Sequence, residues 1–479
     1  MARLTEARVS RRTALAATAG GLLGMPLSRI GTAQTRAQQG ESGPIRWSLT
    51  GVSDLTSLDP AKATDLQGFT VIGVLYAGLV RLNEELQVAP SLADSWSVSE
   101  DALTYTFTLR DGITFSDGTP ITADDVVWTF THALDPATGG WIGPYYFSLI
   151  DGADEMAAGK ATELRGIKKI DNKTVSITIK QPAAYFLSSL VAGPSKILSR
   201  AASADPTNEG KVTSGPFVLQ TWSHGQGLDL VPNARFFEPV TRVTTLRFVF
   251  NQDSETGYQL YRTGQVDILG SSQTPIPAAR VPEVQNSPDF NSVPAFNTRY
   301  VGFNNVLKPF DDVRVRQALA HAIDRDTLAN TVLGGTVNPT DRILPPGFPA
   351  SDLPVTGLGF DPDKAKSLLA EAGIDPNSFT FTLSYGVEGD NERVVTVLQA
   401  MWQENLGISV TLEALELSTF SSRLNDTYQD PATGLQAYYS IWGADYPDPQ
   451  NFLSLQLQTG SGFNNGHWSN PEFDRLTKE

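Results

Sequence analysis

Asp445 stands just past the end of a run, Tyr438–Ala444 (YYSIWGA), whose aromatic and β-branched content reads as a buried strand. Tyr446 follows it directly, and Trp442 lies close before it. A carboxylate among aromatic rings suits a cation such as an ammonium. Ion pairing supplies one attraction and the ring faces supply another. Gly443 leaves room for a second backbone to approach. An extended chain added to this strand would gain main-chain hydrogen bonds that are indifferent to side chains. The local alternative for Asp445 is helix capping. Asp448-Pro449 is better placed to open the helix that follows, with Pro in its first position. Asp445 is thereby left without a local duty. Trp442 has two readings, core packing and pocket lining, and a strand tryptophan can serve both.

Catalytic chemistry has no comparable signal. The sequence holds no Gly-x-Ser-x-Gly elbow, no His-Glu-x-x-His and no dinucleotide glycine fingerprint. Gly159-Lys160 is similar to the end of a phosphate loop, but Ala161 replaces the hydroxyl residue and the upstream glycine is missing. The four histidines, His132, His224, His321 and His467, are scattered, and none has a neighbour in sequence that would complete a metal site. His321, between Ala320 and Ala322, reads as a structural residue in mid-helix. We assign no catalytic residue, no metal and no cofactor. A glycosidase pair stays open at this point, because its two carboxylates need not be adjacent in sequence.

The elements that must position Asp445 follow from periodicity. Thr104–Arg110 alternates strictly, with Tyr105, Phe107 and Leu109 on one face, as a half-buried strand does. Thr122 opens a helix with Asp125 at the reciprocal position of a capping box, and Val126, Val127, Phe130, Ala133 and Leu134 share one face. Strands are expected at Thr174–Lys180 and Thr245–Phe250. A hairpin is expected from Phe217–Ser223 to Leu228–Val231 through Gly225-Gln226-Gly227. Asp361-Pro362 starts a helix that Gly373 ends. Phe381, Leu383 and Tyr385 alternate as a strand. A helical stripe at Val394, Leu398, Met401 and Trp402 stops at Gly407, and Val410 and Leu412 begin another strand. Strands and helices mix throughout, which predicts an α/β architecture. The Pro-rich stretch 275–294 is the best crossing point between two bodies, and 344–359 reads as a long surface loop.

A chain of 479 residues is too long for one compact core. Its net charge of -16 argues against nucleic acid or anionic membrane as partners, since both select basic surfaces. There is no cysteine, which excludes disulfides, thiol catalysis and a lipid anchor on cysteine. Arg3, Arg8, Arg11 and Arg12 precede a short, weakly apolar run from Ala14 to Leu27, and Gly31-Thr32-Ala33 fits a cleavage site. Residues 1–33 therefore read as an export signal. Its Ser10–Leu15 segment (SRRTAL) resembles a twin-arginine leader, with Ala14 where that pattern prefers Phe. Residues 34–43 read as a flexible arm.

Several segments, taken in order, resemble extracellular solute-binding protein family five, the dipeptide-, oligopeptide- and nickel-binding components of ABC importers. They are residues 75–130, Ser214–Phe217 (SGPF), residues 303–326 (FNNVLKPFDDVRVRQALAHAIDRD), Asp361–Gly373 and Trp442–Leu453 (WGADYPDPQNFL). The resemblance implies a two-lobed periplasmic-binding-protein clamshell with mixed sheets. Lobe one is expected over 44–285, with an inserted subdomain about 75–170, and lobe two over 286–479. The implied function is capture of a peptide between the lobes and its delivery to an ABC permease in the inner membrane, by a periplasmic monomer that is not an enzyme. The alternatives are another small solute (an oligosaccharide, an opine-like compound or a nickel complex) or, further off, a secreted hydrolase. The resemblance implies that Asp445 holds the peptide's amino terminus, with Trp442 and Gly443 beside it, and that Tyr145 and Tyr146 line the pocket from lobe one. Two departures stand out. Family dipeptide binders carry an arginine after the strand at Phe381–Tyr385, whereas Gly386–Asn391 (GVEGDN) is acidic, which disfavours a strict dipeptide binder. The chain also stops at Phe473–Glu479, at the start of a helix, so a C-terminal return segment into lobe one is expected to be missing.

Overall fold

The computed structural model describes residues 43–477, except 64, 141, 272–275 and 294. The export leader and residues 34–42 of the arm lie outside the described residues. Strand β1 (Gly43–Thr50) opens the fold. A small antiparallel ribbon follows, β2 (Val80–Leu82) with β3 (Val88–Pro90). Next come β4 (Ala93–Val98), β5 (Thr104–Leu109), β6 (Ile167–Lys169) and β7 (Thr174–Thr178). They pair antiparallel in the order β4-β5-β7-β6. The hairpin β8 (Phe217–Ser223) and β9 (Gly227–Pro232) leads into β10 (Val243–Asn251). Strand β10 lies parallel to β1, which closes a mixed sheet in the order β1-β10-β9-β8.

The second half builds another mixed sheet from β11 (Asn297–Phe303), β12 (Thr380–Gly386), β13 (Ser409–Leu415) and β14 (Ala437–Gly443). Their order is β11-β14-β12-β13. Strand β14 is antiparallel to β11 along its whole length and parallel to β12 over Ala437–Tyr439 alone. This mixture of parallel and antiparallel pairing with helices is the expected α/β architecture.

Apolar packing separates the molecule into bodies. One core, drawn from residues 49–250, lies under the β1-β10-β9-β8 sheet. A second, drawn from residues 61–197, lies under β4–β7 and around the helix Ala123–Leu134. The third, drawn from residues 310–439, surrounds the last sheet, with Trp402 fully enclosed. A small fourth cluster, Phe420, Leu435 and Tyr438, sits on the other face of that sheet. The Pro-rich stretch falls in sequence between β10 and β11, that is, between the bodies.

Local signals set the elements. Asp125 accepts the Thr122 N–H at 3.0 Å, the reciprocal bond of the expected box. Asp361 accepts from Lys364 N–H, with Pro362 in the first turn of Pro362–Glu371. Gly407 caps Asn391–Leu406 at φ 76°, a conformation that favours glycine. Two local expectations need correction. His321 is the last residue of Val313–His321 rather than mid-helix, and its imidazole Nδ1 lies 2.6 Å from the Gly359 carbonyl. Strand β14 is buried only over Ala437–Tyr439, because β12 stops flanking it there, and Ile441 is 48% exposed. The loop 344–359 is pinned rather than free. Arg342 donates to the carbonyls of Ser351, Leu353 and Val355, and Phe348 is buried against Phe296 and Phe452.

Candidate functional site

Strand β14 carries the site to the open end of its sheet. Pairing with β12 ends at Tyr439, while pairing with β11 continues to Gly443, and Ala444 N–H reaches the Phe296 carbonyl at 2.8 Å. Backbone groups alternate sides along a strand. The N–H and C=O of Ile441 and Gly443 therefore face the side that β12 has vacated. That free stretch of edge is a template for one more strand.

Asp445 emerges just beyond this edge and is exposed. Asn451, fully buried, fixes it from below. Asn451 Nδ2 donates to Asp445 Oδ2 at 3.1 Å, and its Oδ1 accepts the Asp445 N–H at 3.3 Å. The same Oδ1 accepts the Trp442 indole N–H at 3.1 Å. One amide thus orients both the carboxylate and the tryptophan. Asp448 caps the turn Pro449–Asn451 by accepting from Gln450 N–H, as expected of it, and so places Asn451. Trp442 is half-buried and belongs to none of the four cores; its ring meets the edge of Phe463 at 5.2 Å.

Tyr145 and Tyr146 arrive from the other half of the chain. They sit on the short helix Ile142–Phe147, anchored by Phe147, which is fully buried and stacks on Phe130 at 4.5 Å. Gly143 permits this docking, since a Cβ there would lie 1.9 Å from the Ala133 carbonyl oxygen. The Tyr145 hydroxyl donates to Asp445 Oδ2 at 3.0 Å, and its ring meets Phe463 at 5.3 Å. Tyr146 packs edge-on to Tyr145 and also against the second core. Tyr185 stacks on Tyr446 at 5.8 Å, a further contact between the two halves. Burial, then the Asp445 charge, holds both phenols of Tyr145 and Tyr146 well above the ordinary tyrosine range. They stay protonated and act as donors.

Tyr145 and Asn451 both donate to Asp445 Oδ2, Tyr146 is a further hydrogen-bond partner of the carboxylate, and none of the ion pairs among the described residues includes it. The carboxylate thus sits inside a ring of aromatic faces. Four of the five residues expected from sequence come together: Asp445, Trp442, Tyr145 and Tyr146. Gly443 adjoins them with a different reason for being glycine. A Cβ there would stand 2.6 Å from Asn297 Oδ1, so its missing side chain makes room for a neighbour on β11. Asn451, Phe463 and Tyr185 were not expected. Nothing near them in sequence marks them, because tertiary packing alone brings them in.

The histidines stay apart. His132 pairs with buried Asp59 at 2.9 Å, and His224 pairs with Asp54 at 2.9 Å. Among the described residues no group of three or more His, Cys, Asp or Glu side chains is placed to hold a metal ion, and no helix is long and apolar enough to cross a membrane.

The family described as bacterial extracellular solute-binding proteins, family 5 middle, matches residues 87–464. The Escherichia coli (strain K12) protein named "Probable deoxycholate-binding periplasmic protein YgiS" is 31% identical over 444 residues, which is 89% of this chain and 80% of that relative. The periplasmic oligopeptide-binding protein OppA of the same organism is 30% identical over 443 residues, 89% of this chain and 80% of the relative. Among solved structures, the unliganded open form of the murein tripeptide binding protein MppA superposes with a TM-score of 0.75 at 27% identity, over 91% of this chain and 85% of that one. The fold is that of a two-lobed periplasmic binding protein, and the chain belongs to family 5 of the bacterial extracellular solute-binding proteins.

Proposed function

We propose that this protein captures peptides between two lobes in the periplasm and hands them to an ABC permease, without transforming them. Asp445 takes the ligand's ammonium, and Trp442, Tyr145 and Tyr146 surround it. The free edge at Ile441 and Gly443 pairs with the ligand backbone. The lobes divide at about 285, as 44–285 and 286–479, with the β4–β7 body inserted in the first.

One observation carries this reading. A negatively charged Asp445 is held by Tyr145 from one half and by Asn451 from the other, beside an unpaired strand edge. A cationic amine with an extended backbone satisfies both features at once. Closing two bodies around such a ligand is ordinary hinge behaviour, with the closed state favoured by contacts made to both lobes.

The test is to purify the protein, release what it carries and identify it by native mass spectrometry and sequencing. A mixed set of peptides with free amino ends supports the proposal. A single steroid acid, sugar or metal complex would keep the clamshell and overturn the substrate class.

A further inference from the structure

Tyr446 follows Asp445 in sequence but meets a different neighbour from the other half of the chain. It is 6% exposed and yet belongs to none of the four apolar cores. Part of its cover is Tyr185, which stacks on it with ring centroids 5.8 Å apart and planes 3° from parallel. An offset stack of this kind attracts beyond the area it buries. Each ring is fixed from its own side. The Tyr446 hydroxyl donates to Gln450 Oε1 at 2.6 Å, and its carbonyl accepts the Asp448 N–H at 2.9 Å. Tyr185 precedes the helix Phe186–Ser189, and its carbonyl accepts the Ser189 N–H at 3.0 Å. Phe186, next to it, is fully enclosed in the second core, with its ring 4.9 Å from Tyr105. Burial holds both phenols above the ordinary tyrosine range, so the rings that meet are neutral.

We propose that Tyr185 is a positioning residue: its stack on Tyr446 clasps the two halves through protein atoms alone, steadies the turn that carries Asp445, and sets how long a captured ligand stays. The clasp itself needs only the two-lobed fold, while its effect on release rests on the peptide-binding reading. Parting the halves exposes the stacked faces of both rings to water, which costs free energy whether or not a ligand is present. The stack therefore adds to the closed arrangement in the free protein and in the complex alike. A ligand enclosed between the halves leaves only after the rings separate. The share of free protein that the clasp holds shut also slows entry. The β4–β7 body thus has a stated duty, since it presents both Tyr145 and Tyr185 to the segment that follows β14.

The experiment measures closure and release separately. The chain has no cysteine, so Lys168→Cys on β6 and Lys366→Cys on the helix Pro362–Glu371 take spin labels at those two exposed sites alone. Distance distributions are recorded by pulsed electron resonance without peptide, and release of Ala-Leu-Ala is followed by stopped flow. The labelled parent should show a shorter, closed distance without peptide. Tyr185→Ala should lower the closed-to-open ratio and speed release, each about 3- to 10-fold, the scale of one aromatic pair, with association no slower. Tyr185→Phe keeps the stacked ring and should restore both readouts. Tyr446→Ala, a change in the other half, should act like Tyr185→Ala, and the double variant should go no further than either. An unchanged distance distribution in Tyr185→Ala, additive effects in the double variant, or a loss of affinity through slower association at unchanged release overturns the proposal. The distance measurement needs no ligand, so failure of the parent to bind peptide brings down the peptide reading while the distances still decide the clasp.

Discussion

The hydroxyl of Tyr145 meets Asp445 Oδ2 at 3.0 Å, although the two stand 300 positions apart in the chain. Tyr145 belongs to the helix docked on the second core, and Asp445 to the end of β14. The bond therefore joins two bodies that share no core. A carboxylate already served from both sides favours approach of the halves, and the ammonium of the proposed ligand would add to the same group.

Removing the charge alone tests this. Asp445→Asn keeps the size of the side chain and loses the attraction for an ammonium. Peptide affinity should fall about 10- to 100-fold. Tyr145→Phe loses one hydrogen bond and should cost only a few-fold. Calorimetry on both variants decides the order. A Tyr145→Phe loss as large as that of Asp445→Asn would mean that the hydroxyl, not the carboxylate, carries recognition.

Asn451 makes a separable prediction. Its amide holds Trp442 and Asp445 together from a fully buried position. Asn451→Ala leaves the indole N–H and the Asp445 backbone without their acceptor, at a cost of about 1–3 kcal/mol in stability. Affinity should fall as well, because the carboxylate loses its orientation. Asn451→Asp places a second carboxylate against Asp445. Like charges at that distance cannot both ionise, so one takes up a proton and binding gains a pH dependence in the acid range. Urea unfolding with calorimetry between pH 5 and about 8 covers the range over which such a proton leaves. A flat affinity profile for Asn451→Asp contradicts the predicted coupling.

How much of this was legible follows from where each signal lives. Asp361-Pro362, Gly407 and the Thr122–Asp125 box are local chemistry, and they form as the sequence implies. That Asp448, not Asp445, caps the next turn was legible locally, whereas the bonds of Asp445 to Tyr145 and Asn451 come from tertiary packing. Ile441 was misread as buried because burial on β14 depends on how far β12 runs beside it, a property of another segment. Ser384 is buried despite the alternation of Phe381, Leu383 and Tyr385, because both faces of β12 are covered and its hydroxyl bonds Glu413. Asn451 and Phe463 had no local signature. An asparagine two residues after a proline reads as turn chemistry, and only the fold turns it inward.

Gly443 now supports a narrower expectation than room for a ligand. The missing Cβ points at Asn297 Oδ1 on β11, away from the vacated edge. Asn297 is exposed and can swing aside. Gly443→Ala should therefore change stability by no more than about 0.5 kcal/mol and peptide affinity by only a few-fold. The measurement is a thermal melt followed by calorimetry. A loss of 100-fold or more would place the ligand's backbone over that face instead of along the edge.

Lys196 provides a test that does not involve the ligand. Burial pushes its ammonium down to about 8, and none of the hydrogen bonds or ion pairs among the described residues engages that group. The ordinary value of 10.5 applies once the chain unfolds. Below about pH 8 both states are protonated, and the fold carries the full cost of an enclosed charge. Between 8 and 10.5 the unfolded chain holds a proton that the folded one has released, so this group makes stability rise with pH across that window. Lys196→Met removes the charge and keeps an unbranched stem. It should raise stability at pH 7 by on the order of 1–3 kcal/mol, with the gain shrinking as pH approaches 10. Urea midpoints at the two pH values measure both effects. A destabilised Lys196→Met at neutral pH would show that the ammonium has a stabilising partner in the folded protein, and the lysine would then belong to a binding surface rather than to the packing of its lobe.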